Sequence, residues 1–241
     1  MATRTPSRVI YPTSDGKPMA ETDDHRGVMF DTITTLDWFF GADPTVYVSG
    51  NLLLYYVEGD KHRHVSPDVF VVRGIPKHRR DNYLLWEEGR GPDCVIELTS
   101  PSTRGEDVVK KYELYRDVLL VREYFLFDPK DQYLKPRLQG HRLVEGQYVP
   151  IEPVAGRLPS EVLGLHLEGV GTDLRLYDPA LGEWLARPEE LRADLRQTKA
   201  DLRQADAARQ QADAARQQAD AKAEGLQREL EELRRRLTER G

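Results

Sequence analysis

The sequence predicts an α/β domain followed by one long C-terminal α-helix with coiled-coil heptads. Three observations carry this. Between Pro92 and Asp128 two short apolar runs flank a stretch of helical periodicity, a strand–helix–strand pattern. Every Phe, Trp and Tyr lies before residue 187, and from Ala186 onward Val and Ile are missing too. The first part can therefore build a core and the second cannot build one alone. That second part places its seam positions alternately four and three residues apart.

The elements follow in order. Residues 1–20 are rich in Pro, Ser, Thr and Gly and read as a loose arm. Thr22, Asp23 and Asp24 offer N-caps to a helix reaching about Phe40, with Val28, Met29, Ile33, Leu36 and Phe40 as its apolar face. Residues 47–49 and 52–57 read as strands joined by the turn Gly50-Asn51. Residues 68–72 form another, entered through Ser66-Pro67, and 82–86 a short one. Residues 94–99 are nearly continuous in apolar residues, as a centre strand covered on both faces requires. Thr103 and Glu106 have capping-box spacing at the start of a helix reaching about Val118. Residues 123–127 give the next strand. Short strands with glycine turns then cover 142–144, 148–151, 162–167 and 174–176, and 181–185 adds one more.

After Pro188 the seam runs Leu191, Leu195, Thr198, Leu202, Ala205, Arg209, Ala212, Arg216, Ala219, Ala223, Leu226, Leu230, Leu233, Leu237. The segment ADAARQQ repeats at 205–211 and 212–218. Leucine ends favour self-association, and the Ala-Arg middle weakens it. Two outcomes stay open: a homodimer through this helix, and a single exposed helix. The domains are thus residues 1–20 as arm, 21–187 as folded domain and 188–241 as helical extension. Two-fold pairing is expected to bring two sites onto one duplex.

Charge splits along the same boundary. The chain carries −6, while residues 187–241 are nearly balanced, so the excess acid lies in the folded part. An acidic globule does not bind nucleic acid by long-range attraction. Lys61-His62-Arg63-His64 and Lys77-His78-Arg79-Arg80 are local basic spots, each read as solvated loop charge. The lone cysteine, Cys94, excludes an intrachain disulfide and reads as a small core residue. No apolar run is long enough to span a membrane, and the N-terminus lacks a signal peptide's apolar region. The expected setting is a reducing cytoplasm, with no membrane partner.

Glu97, inside the apolar run VIEL, conflicts with its surroundings, because a buried carboxylate is costly unless compensated. Asp68 opens another apolar strand. If the two strands are neighbours, both carboxylates converge, repel, and should raise at least one pKa. A divalent cation resolves this: Mg²⁺ takes carboxylate oxygens plus water and substrate phosphate, with the Leu98 carbonyl as a third ligand. Lys111, one turn beyond Asp107, could reach the same point and stabilise charge on a phosphate. Tyr115, a further turn on, reads as a packing residue whose hydroxyl has a partner. Asp107 could instead serve only the helix N-terminus, and Lys110 rivals Lys111. This set suits phosphodiester hydrolysis.

Three segments carry a resemblance: SPDVFVV at 66–72, PDCVIELTSPSTRGED at 92–107 and KKYELYRDVLLVREYFLFDP at 110–129. With YVSGNLLLYY at 47–56, they resemble the Uma-two family of restriction endonucleases, in the PD-(D/E)XK nuclease superfamily, over roughly residues 21–190. The resemblance implies a restriction endonuclease-like fold, a mixed central sheet flanked by helices, and a divalent-metal nuclease site. Asp68 matches the first acid of that family and Glu97 the second. The superfamily's lysine position falls on Thr99, and the following helix supplies Lys111 instead.

The expected function is a Mg²⁺-dependent endonuclease, with Mn²⁺ as alternative cation, acting on DNA. Asp68, Glu97 and Leu98 hold the metal, and Lys111 assists. The alternative is a catalytically silent nucleic-acid-binding or assembly protein that dimerises through its coiled coil.

Overall fold

The computed structural model describes residues 9–14, 16, 22–99 and 105–238. It divides into two units, Met1–Pro188 and Glu189–Gly241. In the first, helix α1 (Asp23–Phe39) starts at Thr22, whose hydroxyl accepts the His25 N–H at 3.2 Å, and Val28, Met29 and Leu36 are buried along its inner face. The strands β1 (Val46–Ser49), β4 (Val69–Arg73), β6 (Cys94–Leu98), β7 (Glu123–Phe127), β8 (Leu138–Val144) and β9 (Gln147–Pro150) form a six-stranded sheet in that order. All its pairings are antiparallel except β6 with β7. Every residue of β6 and β7 is buried, which explains their unbroken apolar runs.

Between β6 and β7 the chain crosses over as a helix. Its regular part is two π-helical stretches, π1 (Glu106–Lys111) and π2 (Leu114–Val118), rather than the expected α-helix. Such wide turns recur at functional sites. The turn at residues 100–104, with the capping Thr103, lies outside the described residues.

Two clusters cover the sheet's faces. On one, Val69, Val71, Ile96, Leu98, Phe125 and Phe127 meet α1 and leucines from a four-stranded sheet. That sheet runs β10 (Leu158–Ser160), β11 (Leu165–Val170), β12 (Asp173–Asp178), β13 (Glu183–Trp184). On the other, Phe70, Val72, Val95, Tyr124 and Leu126 meet Tyr115 and Leu119 of the crossover. There too lies a small sheet ordered β3 (His64–Val65), β2 (Leu54–Tyr55), β5 (Tyr83–Leu84), with the short helix α2 (Leu85–Glu88) after β5.

The expected strand at 52–57 shortens to β2, which pairs with β3 and β5 and not with β1. The Gly50-Asn51 turn is spent elsewhere: the Asn51 N–H donates to the Pro67 carbonyl at 2.8 Å, tying the turn to the segment entering β4. β3 escaped the sequence reading because its basic residues resemble a loop. The second basic spot is only partly solvated. The Arg80 side chain is 3% exposed, donates to both Glu88 oxygens at 2.6 and 2.8 Å, and lies over the Tyr47 ring. Lys77 pairs with Asp37 at 2.9 Å. Cys94 is buried as expected, and burial pushes its thiol pKa up. Within the arm, Tyr11 packs on Tyr55 and Trp86, and the Pro12 carbonyl accepts the Tyr55 hydroxyl at 2.8 Å.

The second unit is a single helix, α3 (Pro188–Thr238), of 51 residues, about 77 Å at 1.5 Å per residue. Every side chain described from 191 to 236 is exposed. Among the described residues no helix is long and apolar enough to cross a membrane.

Candidate active site

The site grows from one strand pairing. β4 and β6 run antiparallel with Val69 opposite Ile96 and Phe70 opposite Val95. Continuing that register sets Asp68 opposite Glu97, and residues opposite each other in an antiparallel pair share a face. The contacts agree. The Leu98 N–H donates to Asp68 Oδ2 at 2.8 Å, and the Asp68 N–H reaches Glu97 Oε2 at 3.4 Å. Asp68 stands at the end of the sheet, one residue before β4, so groups from both layers can approach it.

Glu97 is fully buried. Its charge is compensated from the crossover helix: Lys111 Nζ lies 2.9 Å from Oε2, and the Tyr115 hydroxyl donates to Oε1 at 2.6 Å. Lys111 is itself only 13% exposed, whereas Lys110 faces solvent. The structure thus brings Lys111 to Glu97 and leaves its rival outside. Tyr115 both packs, in the cluster with Tyr124, and spends its hydroxyl on the acid. Asp107 lies within π1, and its side chain is outside the described residues.

Sequence reasoning missed His25. Its Nε2 lies 3.2 Å from Asp68 Oδ1, and an ionised carboxylate only accepts, so Nε2 carries the proton. His25 precedes Val28, Met29, Thr32 and Leu36 on the buried face of α1, one turn after its cap, where a packing histidine gives the same pattern. Thr99, at the superfamily's lysine position, hydrogen-bonds the Tyr133 hydroxyl at 3.0 Å.

The electrostatics of Asp68 are set by burial and by its donors. Burial pushes its pKa up, but the His25 hydrogen bond, the Lys111 and His25 charges and the Leu98 N–H together bring it below the usual carboxylate value.

Asp68 and Glu97 bring carboxylate oxygens to one point, the kind of donor a hard cation takes. Among the described residues no cluster of three His, Cys, Asp or Glu side chains surrounds them. An all-oxygen set of two carboxylates and a carbonyl fits Mg²⁺, which keeps several waters and takes substrate phosphate.

The chain is similar to a solved structure from Anabaena variabilis described as "a putative nuclease belonging to DUF820", with 18% identity and a TM-score of 0.46, covering 65% of this chain and 85% of that one. No curated protein matches. The family model described as "Uma2: Putative restriction endonuclease" matches residues 4–173, more than half of the sequence. The chain therefore belongs to the Uma2 family.

Proposed function

We propose that the protein is a Mg²⁺-dependent endonuclease acting on DNA, with Mn²⁺ able to replace Mg²⁺. The observation that carries this reading is the convergence of Asp68, Glu97 and Lys111 on one point. Asp68, Glu97 and the Leu98 carbonyl would hold the cation. In an extended strand a residue's N–H and C=O leave by the same edge, and the Leu98 N–H already faces Asp68. The bound cation would polarise the phosphodiester and lower the pKa of a water.

The protein's own groups do the rest. Lys111 Nζ stands beside Glu97 and its charge is felt at Asp68, so that charge can also serve a phosphate oxygen at the same point. Tyr115 fixes the Glu97 carboxylate, and His25 with the Leu98 N–H fixes that of Asp68. Asp107 supports the start of the helix that delivers Lys111. Because the acid excess lies outside the tail, phosphate binding rests on the cation and local bases, not on a positive surface.

The exposed leucines of α3 support a homodimer, and they also support a second reading, a catalytically silent nucleic-acid-binding or assembly protein. Supercoiled plasmid incubated with Mg²⁺, Mn²⁺ or EDTA tests the metal. Cutting is expected with either cation and absent with EDTA; equal cutting with EDTA would overturn the metal reading.

A further inference from the structure

The seam of α3 is its own complement when one copy is reversed. Leu195, Leu202, Leu226 and Leu233 are 54%, 62%, 58% and 55% exposed, so something must cover them or they remain in water. We propose that α3 pairs with a second copy of itself in antiparallel orientation, centred near Ala214. This rests on the self-association just proposed and adds its polarity and register.

In that register Leu195 meets Leu233 and Leu202 meets Leu226, with each contact made twice by symmetry. The two seam arginines meet small residues: Arg209 opposite Ala219 and Arg216 opposite Ala212. Asp220 and Asp213 follow those alanines directly, on the side toward which a seam arginine must reach. Each guanidinium thus gains room and an acid across the interface. A parallel pair does the reverse. It stacks Arg209 on Arg209 and Arg216 on Arg216, flanked by Ala208 and Ala215, and leaves each arginine only the acid four residues on in its own helix, as Asp220 lies 3.9 Å from Arg216.

The outer charges favour the parallel pair, through Asp194 with Lys199 and Glu229 with Arg234. Those contacts are solvent-exposed and weak. The arginines lie in the seam, where like charges lose most water, and they decide the polarity. The reversed register overlaps nearly the whole of α3, so its two Pro188 tether points stand at opposite ends of a rod of about 75 Å. The two attachment points would then be about two DNA turns apart, at roughly 34–36 Å per turn.

Mixing single-cysteine chains in a Cys94→Ser background tests this. Leu195→Cys and Leu233→Cys should form a disulfide-linked dimer only when mixed, and neither should link to itself. Self-linked Leu195→Cys and Leu233→Cys would establish a parallel pair and overturn the inference while leaving self-association intact. Asp213→Lys with Asp220→Lys should weaken dimerisation at least tenfold; an unchanged constant contradicts the register. Sedimentation of the wild-type chain separates the two failures, since a monomer throughout overturns self-association itself.

Discussion

Lys111 Nζ lies 2.9 Å from Glu97 Oε2, in a place where Glu97 is fully buried and Lys111 nearly so. A charge pair of this kind is not by itself a large source of stability, because desolvation offsets attraction. Breaking it from one side is different. Lys111→Met should cost about 3–5 kcal/mol, because the Glu97 charge is left uncompensated. Tyr115→Phe removes one hydrogen bond to that charge and should cost about 1.5–3 kcal/mol. Joining Lys111→Met to Glu97→Gln should recover much of the loss. Urea unfolding measures all three; a Lys111→Met penalty below about 1 kcal/mol would mean the pair is not formed as described.

Asp68 gives the molecule a defined acid response. Its pKa is lowered from 3.8, despite burial, by His25, Lys111 and the Leu98 N–H. A depressed carboxylate stabilises the fold above its unfolded pKa and loses that contribution as pH falls through the folded value. Wild type and Asp68→Asn should therefore differ most above about pH 4, with the gap closing toward pH 2. His25→Ala should shrink the same gap at pH 5. A gap that is constant or grows on acidification contradicts the assignment.

Gly50 shows why the turn before β2 carries glycine. A Cβ there would stand 1.9 Å from the Asp68 carbonyl oxygen and 2.6 Å from Ile33 Cδ1. Gly50→Ala must push the Asp68 backbone aside, at about 1–3 kcal/mol and with a loss of cleavage. Gly27→Ala, which meets nothing within 4 Å on α1, should be neutral or stabilising. Equal thermal midpoints for the two variants would show that the turn does not bear on the acid.

The sequence made the core of this arrangement legible through one conflict. A glutamate in an unbroken apolar strand demands compensation, and Lys111 and Tyr115 stood at helical steps after it. The strands β6 and β7 were legible for the same reason, since burial on both faces leaves no polar alternation. Long-range placement was not legible. Nothing local says that β1 pairs with β4, or that β2 leaves for a separate sheet. His25 was hidden because a histidine on a buried helix face is commonly a packing residue, and only tertiary structure sets it against Asp68. Arg80, within a run of bases, gave no sign that Glu88 and Tyr47 would enclose it.

The central claim is that Glu97 acts in cleavage as well as in folding. Its most direct test is the rate at which Glu97→Gln relaxes supercoiled plasmid in Mg²⁺, beside wild type and with circular dichroism to establish that both are folded. Gln keeps the shape and a hydrogen-bonding oxygen but removes the charge that would hold the cation. The account predicts at least a thousandfold fall in rate, about 4 kcal/mol of lost transition-state stabilisation. A folded Glu97→Gln protein cutting within threefold of wild type would contradict it.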